Sequence, residues 1–581
     1  MRQFSAVLFA LILCVASLSA QVAADPLDFF YDDLTVWETM GIVRDLPAAR
    51  PYPLPLVKRI LSEVIERGDS TQRRIAERHS KRLFGRVLHY GGKGTLAIDT
   101  ANSYKQMDVA ISFDVNYIFN QYVSASASVD GWATNKLPYQ ELIPQSERSD
   151  KDIVKDNARL GPFWILPSLN SSLAVGTPDT YFNAGMMRGS WGPIHDTGVL
   201  FGSHALHSGQ WNASVNREKW AFNFSFYSLS ATTDDELLFY HPEKYLAIHS
   251  LTVRPLPWLE VSAFESVMYG GRFETLYLLP ASAFMISQGN TGFADNNYIG
   301  GMFTVRPVEG LKIDGMLVAD DMSFNDIIKF QWDTKWRIAG QLAVSYAPRK
   351  SGLFTFASLD YTMVTPYTYS HKVGHDLSLT EPNYQSFTHA GNCVGAALEP
   401  NSDRLNLKVK IRPLDAMDVD IVGTLIRHGN VNESLDISGE DYMRVWQYLT
   451  DEDLYVTDGS VHNSSATHSG HAFFFSTPFL TQETIQYVWQ AGFDVTARLP
   501  KLKTGGLIVF KLGYRFEVDI NPGVGREMYV YDNTLDGLDP NDPGDRTTIE
   551  NAARSQRDAW RAAAGGTVFN NYISAGMEYF Y

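Results

Sequence analysis

The residues best suited to bind a ligand in this chain are carboxylates placed among apolar and aromatic residues. Read at every second position, Glu265 shares a face with apolar residues, so its carboxylate needs a partner, and we expect Arg272 to supply it. That pair is either an internal salt bridge or a contact to a sugar. Asp320 and Asp321 are either solvated loop acids or a site for a cation or sugar hydroxyls. The candidate ligand-binding set is Glu265, Tyr269, Arg272, Asp295, Asn296, Asp314, Asp320 and Asp321.

Other residues carry weaker chemical signals. The segment DGLDPNDPGD brings together Asp536, Asp539, Asp542 and Asp545, an oxygen-rich spacing that can hold Ca²⁺ but does not fit the EF-hand loop, so a mobile acidic loop is the alternative. His204 and His207 would suit a metal only on a helix, and nearby glycines argue against one. Ser208 beside His207 lacks an acid partner, which leaves little support for an esterase. Five tryptophans could stack on sugars or anchor a membrane girdle: Trp191, Trp211, Trp258, Trp332 and Trp336.

Composition and charge exclude several classes of protein. The chain has 581 residues, 45% hydrophobic and 13% aromatic, which is not the composition of a disordered protein. Its 65 acidic against 49 basic residues give a net charge of −16, which argues against nucleic-acid binding. We expect no nucleic-acid partner, no cofactor and no resident metal.

The first residues have the pattern of a secretory leader. Arg2 is followed by an apolar run over 4–18 that is short for a membrane span, and small residues come next. We assign residues 1–24 to a signal peptide cut before Asp25, with a cut after Ala20 as the alternative.

Residues 25–86 are predicted to form a periplasmic helical domain. Apolar spacing favours helices over 28–41 and 56–68, while alternating prolines at 51, 53 and 55 argue against helix between them. A third helix from Asp69 or Ser70 to Phe84 is strongly basic. Its basic face is either solvated or in contact with anionic headgroups or an acidic lumen.

From Gly91 onward the hydrophobic period is two. Residues 109–119, 220–226, 405–412, 493–499 and 508–520 alternate between apolar and polar side chains. Several runs reach about 10 to 13 residues, which is the length that a tilted membrane strand needs. A soluble sandwich also alternates, but its strands are shorter.

The connections between these strands are asymmetric. Short turns follow TVRP at 252, TVRP at 304 and KIRP at 410, whereas long polar connections cover 135–157, 430–467 and 530–561. The chain ends in an amphipathic strand with a terminal aromatic residue, the signal that barrel-insertion machinery reads. Residues 87–581 are therefore predicted to form a large antiparallel outer-membrane β-barrel of about 16–18 strands, a mainly β fold.

Two stretches resemble the Wzi-type capsule assembly family. They are YDDL at 31 with YPLP at 52, and the run from YLAIH at 245 through FESVMYGGRF at 264 to DNN at 295. The resemblance implies an outer-membrane barrel with periplasmic helices that binds or organises surface polysaccharide without catalysis. The alternative is a channel for small solutes with a helical plug. We expect outer-membrane lipid, surface polysaccharide and the barrel-insertion machinery as partners, and a monomer.

Overall fold

The structure is a computed structural model, and the predicted fold class is confirmed within the residues it describes. These are 22–101, 104–135, 158–195, 198–231, 242–280, 282–291, 295–321, 329, 336–370, 382, 384–390, 392–438, 442–452, 479–499 and 506–581. Most of the proposed leader and Trp332 lie outside these ranges.

The architecture is a closed antiparallel barrel of 18 strands. Its strands are β1 (Leu88–Asp99), β2 (Tyr104–Ile118), β3 (Val123–Thr134), β4 (Phe163–Thr177), β5 (Thr180–Met187), β6 (Ser208–Asn216), β7 (Trp220–Ser230), β8 (Glu243–Leu256), β9 (Leu259–Gly270), β10 (Asn296–Val308), β11 (Leu311–Asp321), β12 (Arg337–Tyr346), β13 (Phe354–Val364), β14 (Ser402–Leu414), β15 (Met417–Gly429), β16 (Ile485–Leu499), β17 (Leu507–Ile520) and β18 (Thr567–Phe580). Sequence neighbours pair throughout, and β18 closes the wall against β1. Closure leaves no unpaired edge among these strands.

The alternation of side chains follows the predicted faces. On β17, Phe510, Leu512 and Phe516 point outward and are exposed. On the inner face of the same strand Glu517 is buried; it accepts hydrogen bonds from Gln490 Nε2 at 2.5 Å and from the Tyr572 hydroxyl at 3.0 Å. The outer surface is therefore an apolar belt and the lumen is polar.

The two rims differ as the sequence predicted. The turns after β8, β10 and β14 are short and join strands that end at Leu256, Val308 and Leu414. The opposite rim carries the long connections, and it is the extracellular side because outer-membrane barrels place short turns in the periplasm.

The N-terminal residues form three helices: α1 (Phe29–Met40), α2 (Leu54–Arg67) and α3 (Ser70–Phe84). Asp28 caps α1, Asp69 caps α3, and α1 ends at Gly41, whose φ of 76° suits a residue without a side chain. The expectation that Pro55 excludes helix is wrong. Pro55 occupies the first turn of α2, where the missing N–H group would have no partner within the helix.

These helices lie at the periplasmic end of the barrel and contact its turns. Arg74 of α3 forms an ion pair of 2.8 Å with Asp415 in the turn after β14. Asp69 accepts a hydrogen bond of 2.7 Å from Ser351 N after β12, and Arg59 of α2 forms an ion pair with Asp179 after β4. Part of the basic face of α3 thus holds the barrel, so the solvated interpretation of that face is incomplete.

A buried ion network joins α1 to the wall. Asp33 lies 2.9 Å from His79 Nε2 and 3.7 Å from Arg412 of β14. Arg412 in turn pairs with Asp418 at 2.6 Å, and Arg498 of β16 pairs with the same carboxylate. Burial alone would raise the pKa of Asp33, but His79 and Arg412 lower that pKa well below its usual value.

Extracellular connections fill the other end of the lumen. The described parts of 188–207 and 366–398 fold inward and bury a cluster that includes Trp191, Phe201, Tyr369 and Phe387. A short helix, α4 (Phe284–Gln288), follows β9. Above the inward segments, α5 (Tyr442–Thr450) and α6 (Pro543–Ala564) form a folded cap. The connection over 530–561, expected to be a polar loop, is largely this 22-residue helix.

Among the described residues, no helix combines the length and the apolar character needed to cross a membrane.

The first prediction concerns processing of the leader. Val22, Ala23 and Ala24 are buried, and the Tyr31 hydroxyl donates to Val22 O at 2.7 Å. Arg188 N donates to Ala24 O at 3.0 Å. A cut before Asp25 would remove these contacts, whereas the alternative cut after Ala20 keeps them. We therefore expect the alternative cut, with an exported chain that begins at Gln21. Intact-mass measurement checks this, and a chain beginning at Asp25 would contradict it.

The second prediction concerns pH. The pKa of Asp33 is lower in the folded protein than the unfolded value of about 3.9. The ionised carboxylate therefore stabilises the docked helices above about pH 3.9, and this stabilisation is lost progressively as the pH falls below that value. At pH 7, Asp33→Asn should weaken docking by about 1–3 kcal/mol. Hydrogen–deuterium exchange of α1, corrected for intrinsic rates, measures the effect.

The matched control is Glu309→Gln, which alters a largely exposed ion pair with Arg349 at the same rim and should leave exchange unchanged. The difference between the wild type and Asp33→Asn should shrink below about pH 4. Equal exchange of α1 in the two proteins at pH 7 would contradict the role of Asp33.

Candidate functional site

A polar cavity of about 490 Å³ lies in the lumen between α1 and the inward extracellular segments. Its volume is within the range of small-molecule sites, about 300–1,000 Å³. The charged residues that line it are Asp32, Glu38, Arg50, Lys312, Asp314, Asp360, Arg404, Lys408, Lys410, Asp494 and Arg515.

The charges in this lumen cavity are arranged as ion pairs. Arg50 lies 2.9 Å from Glu38, Lys312 lies 3.0 Å from Asp314, and Arg515 lies 2.5 Å from Asp494. Across β14 and β13, Arg404 and Asp360 are 3.5 Å apart. Pairing cancels most of the local charge, so the wall presents alternating donors and acceptors rather than a field of one sign.

Neutral polar groups fill the gaps between these pairs. Thr35 and Thr39 of α1 face the cavity together with Asn406 of β14, whose side chain donates to Asp360 at 3.0 Å. Phe356 supplies an apolar face. Such a lining can hold water or a small hydroxyl-rich molecule through directional hydrogen bonds.

A second cavity of about 270 Å³ adjoins the first. Asp32 of α1 and Asp494 of β16 line both spaces, and the second extends along Lys511, Ser574 and Glu578 toward the periplasmic end. The helices therefore leave a polar crevice beside β16, β17 and β18.

The sequence-predicted residues that lie on the inner face of the wall have different roles. Asp314 lines the cavity, as its parity with Lys312 predicted, and accepts from Thr304 at 2.7 Å. Asp320 is buried and accepts from Tyr369 N at 3.0 Å, so it holds an inward segment. Asn296 donates to the Tyr298 hydroxyl at 2.9 Å. Asp321 pairs through its backbone with Arg337, and its side chain is outside the described set.

The predicted pair of Glu265 and Arg272 is wrong. The pairing of β9 with β8 and β10 is regular at Glu265, so no bulge turns its side chain inward. Glu265 lies on the outer face, 3.5 Å from His249, whereas Arg272 pairs with Asp295 at 2.5 Å. The reason is that the chain after β9 folds back over the outer wall.

The remaining members of this set hold that folded segment. Asp295 also accepts from the Tyr277 hydroxyl at 2.7 Å, and the Tyr269 ring packs on Tyr277 with centroids 4.9 Å apart. Glu265, Tyr269, Arg272 and Asp295 are therefore brought together on the outer wall, away from the lumen cavity.

The acidic segment proposed for calcium is built as a helix start. Asp542 caps α6 and accepts from the N–H groups of Gly544 and Asp545. Asp545 accepts from Asp539 N at 2.9 Å, and Asp536 accepts from the Tyr531 hydroxyl at 3.1 Å. In the portion of the chain that the structure describes, no three His, Cys, Asp or Glu side chains are grouped to hold a metal.

The tryptophans and histidines take structural positions. Trp191 is fully buried in the lumen and Trp211 stacks on Phe224 at 4.7 Å. Trp258 is 46% exposed at a periplasmic turn, as a girdle residue would be. His204 lies in a turn, 3.2 Å from Cys393 O, and His207 directly precedes β6, which begins at Ser208. Neither histidine is therefore on a helix.

Sequence reasoning missed several residues of the lumen cavity. Arg404, Lys408 and Lys410 lie on the same face of β14. The alternation in the sequence predicted that face, but it did not indicate that these residues line a cavity. Arg50 could not be found from the sequence, because its place in the lumen depends on the pairing of Ala49–Arg50 with Ser190–Trp191.

Comparison with known proteins supports the fold. No family model matches the chain, and no curated protein matches it either. Among solved structures it is similar to Wzi of Escherichia coli, described as an outer membrane protein involved in group 1 capsule assembly and as a carbohydrate-binding β-barrel. The TM-score is 0.50 at 11% identity, over 94% of this chain and 97% of Wzi.

Two Pseudomonas aeruginosa structures are more weakly similar. OccD3 (OpdP) has a TM-score of 0.37 at 9% identity over 85% of this chain and 91% of its own. OprD has a TM-score of 0.40 at 6% identity over 85% and 94%. These similarities are too low to support an argument about function.

The expected resemblance to Wzi-type barrels is confirmed at the level of the fold. With its closed wall and apolar outer belt, the chain is an outer-membrane β-barrel.

Proposed function

We propose that this outer-membrane barrel binds or organises surface polysaccharide and catalyses no reaction. The observation that carries the proposal is the folded extracellular cap, which stands over a lumen that holds inward segments and is bounded by α1. A folded surface outside the cell is suited to present a binding face.

The cap is held to the ends of the wall strands by an ion pair and by hydrogen bonds. Glu433 is buried and pairs with Arg561 of α6 at 2.6 Å. Trp560 donates to Arg526 O at 2.9 Å, and Asp532 N donates to Leu449 O of α5 at 2.6 Å. These bonds tie α5 and α6 to the ends of β15 and β17. A preorganised surface loses less entropy on binding a flexible chain.

One part of the cap offers groups that suit a sugar. Tyr531 is exposed, and its hydroxyl lies 3.1 Å from Asp536. Close by, the Thr534 hydroxyl donates to Asp532 Oδ1 at 2.6 Å. An aromatic face beside carboxylates and a hydroxyl provides stacking and hydrogen bonds to sugar hydroxyls. We further propose that the protein acts as a monomer, with membrane lipid and surface glycan as its partners.

The third prediction tests glycan binding. Refolded full-length protein on a glycan array should retain a restricted set of polysaccharides. Tyr531→Ala should weaken that binding roughly threefold to tenfold, the usual worth of one aromatic contact. Tyr346→Ala is the control, because Tyr346 is similarly exposed but lies at the periplasmic rim. No retained glycan, or equal binding by Tyr531→Ala, would contradict the proposal.

A channel is the second candidate, favoured by the polar crevice beside β16, β17 and β18. In planar bilayers a channel would conduct steadily, and Ser574→Trp, which fills the crevice, would reduce that current. The adjacent outward residue gives the control Ala575→Trp. The fourth prediction, which follows from the binding function, is a current near the bilayer baseline for the wild type and for both variants. A steady current lowered only by Ser574→Trp would favour the channel.

A further inference from the structure

An ionisable pair faces the membrane on the outer wall of the barrel. Glu265 of β9 and His249 of β8 are directly paired, with 3.5 Å between Glu265 Oε2 and His249 Nε2. They share the outward parity of Leu251 and Val261, which are exposed. Such a pair in the apolar belt is costly unless other groups hydrogen-bond to it.

The segment after β9 supplies part of that support. Phe284, at the start of the short helix Phe284–Gln288, donates its backbone N–H to Glu265 at 2.7 Å. The Phe284 ring stacks on His249 with centroids 4.3 Å apart. The Arg272–Asp295 pair closes the base of the segment. The Glu265 side chain keeps 27% of its surface exposed, so its carboxylate is not fully enclosed.

The exposed part of Glu265 lines a groove of about 710 Å³ in the outer wall. Ala263 and Ala319 line the floor of the groove, together with the β10 backbone beside Gly301. Gly301 is the strand partner of Ala263, so small residues leave a depression at this point of the wall. Leu251 and Leu317 form its sides. The lining is predominantly apolar, as the surroundings of a hydrocarbon chain require.

The covering segment itself belongs in lipid. Leu279, Met285 and Ile286 are exposed, Ile286 to 77%, and Met285 also lines the groove. Glu265 is six residues along β9 from Leu259 at the periplasmic turn, which places it roughly 15 Å above that turn in a tilted strand. The apolar belt of such barrels is about 25 Å tall, so Glu265 lies in its outer half.

We propose that this groove binds one acyl chain of an outer-leaflet lipid and that Glu265 accepts a hydrogen bond from a hydroxyl group on that chain. The groove opens on the bilayer, so a lipid chain is the occupant that the membrane itself provides. At this depth a plain chain offers no donor to the carboxylate, whereas a hydroxylated chain does. The hydroxyl therefore adds one donor to a partly exposed carboxylate that already accepts from Phe284 N–H and lies beside His249. The inference depends on the outer-membrane location and is independent of the glycan proposal.

The test compares two lipids that differ only in the hydroxyl. Full-length protein is placed in nanodiscs of phosphatidylethanolamine containing equal amounts of a lipid with a hydroxylated acyl chain and its unhydroxylated analogue. Lipid retained on release from the disc is counted by native mass spectrometry. We expect the hydroxylated lipid to be retained roughly fivefold over its analogue, the worth of about one hydrogen bond.

Variants separate the groove from the carboxylate. Ala263→Phe and Gly301→Leu fill the groove and should each abolish retention, whereas Glu265→Ala should keep a retained lipid but remove the preference for the hydroxyl. Ala575→Phe, at an outward position on β18, is the control and should behave as the wild type. Heat-modifiable electrophoretic mobility confirms that each variant has a folded barrel.

Two results would overturn the proposal. One is equal retention of both lipids by the wild-type protein. The other is retention that Ala263→Phe and Gly301→Leu leave unchanged in folded protein.

Discussion

Every backbone N–H and C=O group of the wall must be bonded within the protein, because the bilayer offers no replacement. The closure of β18 on β1 meets this constraint and fixes much else in the structure. It gives each strand one face toward lipid and one toward the lumen. It also leaves a lumen wide enough to hold the inward segments and a polar cavity that α1 lines from the periplasmic end.

The filling of the lumen follows from this width. Polar side chains on the inner face of the wall need hydrogen-bond or ion-pair partners when they are buried. Ion pairs therefore connect the segments inside the lumen to the wall. Asp33 joins α1 to Arg412 of the wall, whereas Arg50 and Glu38 pair with each other within the N-terminal segment at the margin of the cavity. Apolar contacts dominate where the described parts of 188–207 and 366–398 meet each other and the wall. The same arrangement leaves the cap as the surface most open to large molecules.

Local patterns in the sequence were sufficient for the barrel, its rims and the first three helices. The alternation of apolar and polar residues predicted that Asp314 faces the lumen, because alternation can be seen within a single strand. Glu265 shows where such reasoning ends. Its outward parity was correct, but its partner was misassigned, because the return of the chain over the outer wall is a long-range contact. The helix α6 was missed for a related reason. Its apolar stripe consists of Ile549, Ala553, Trp560 and Ala564 and is narrow. The helix is stabilised by packing against other cap residues that are distant in sequence.

The most direct measurement of the central claim is a nitroxide scan along residues 404–410 of β14 in a lipid bilayer. The account predicts that labels at Leu405, Leu407 and Val409 are reached by oxygen dissolved in lipid. Labels at the alternate positions, Asn406 and Lys408 among them, should be shielded from oxygen and restricted in motion by the contents of the lumen. Loss of this alternation, or equal access of a water-soluble relaxation reagent to both faces, would contradict it.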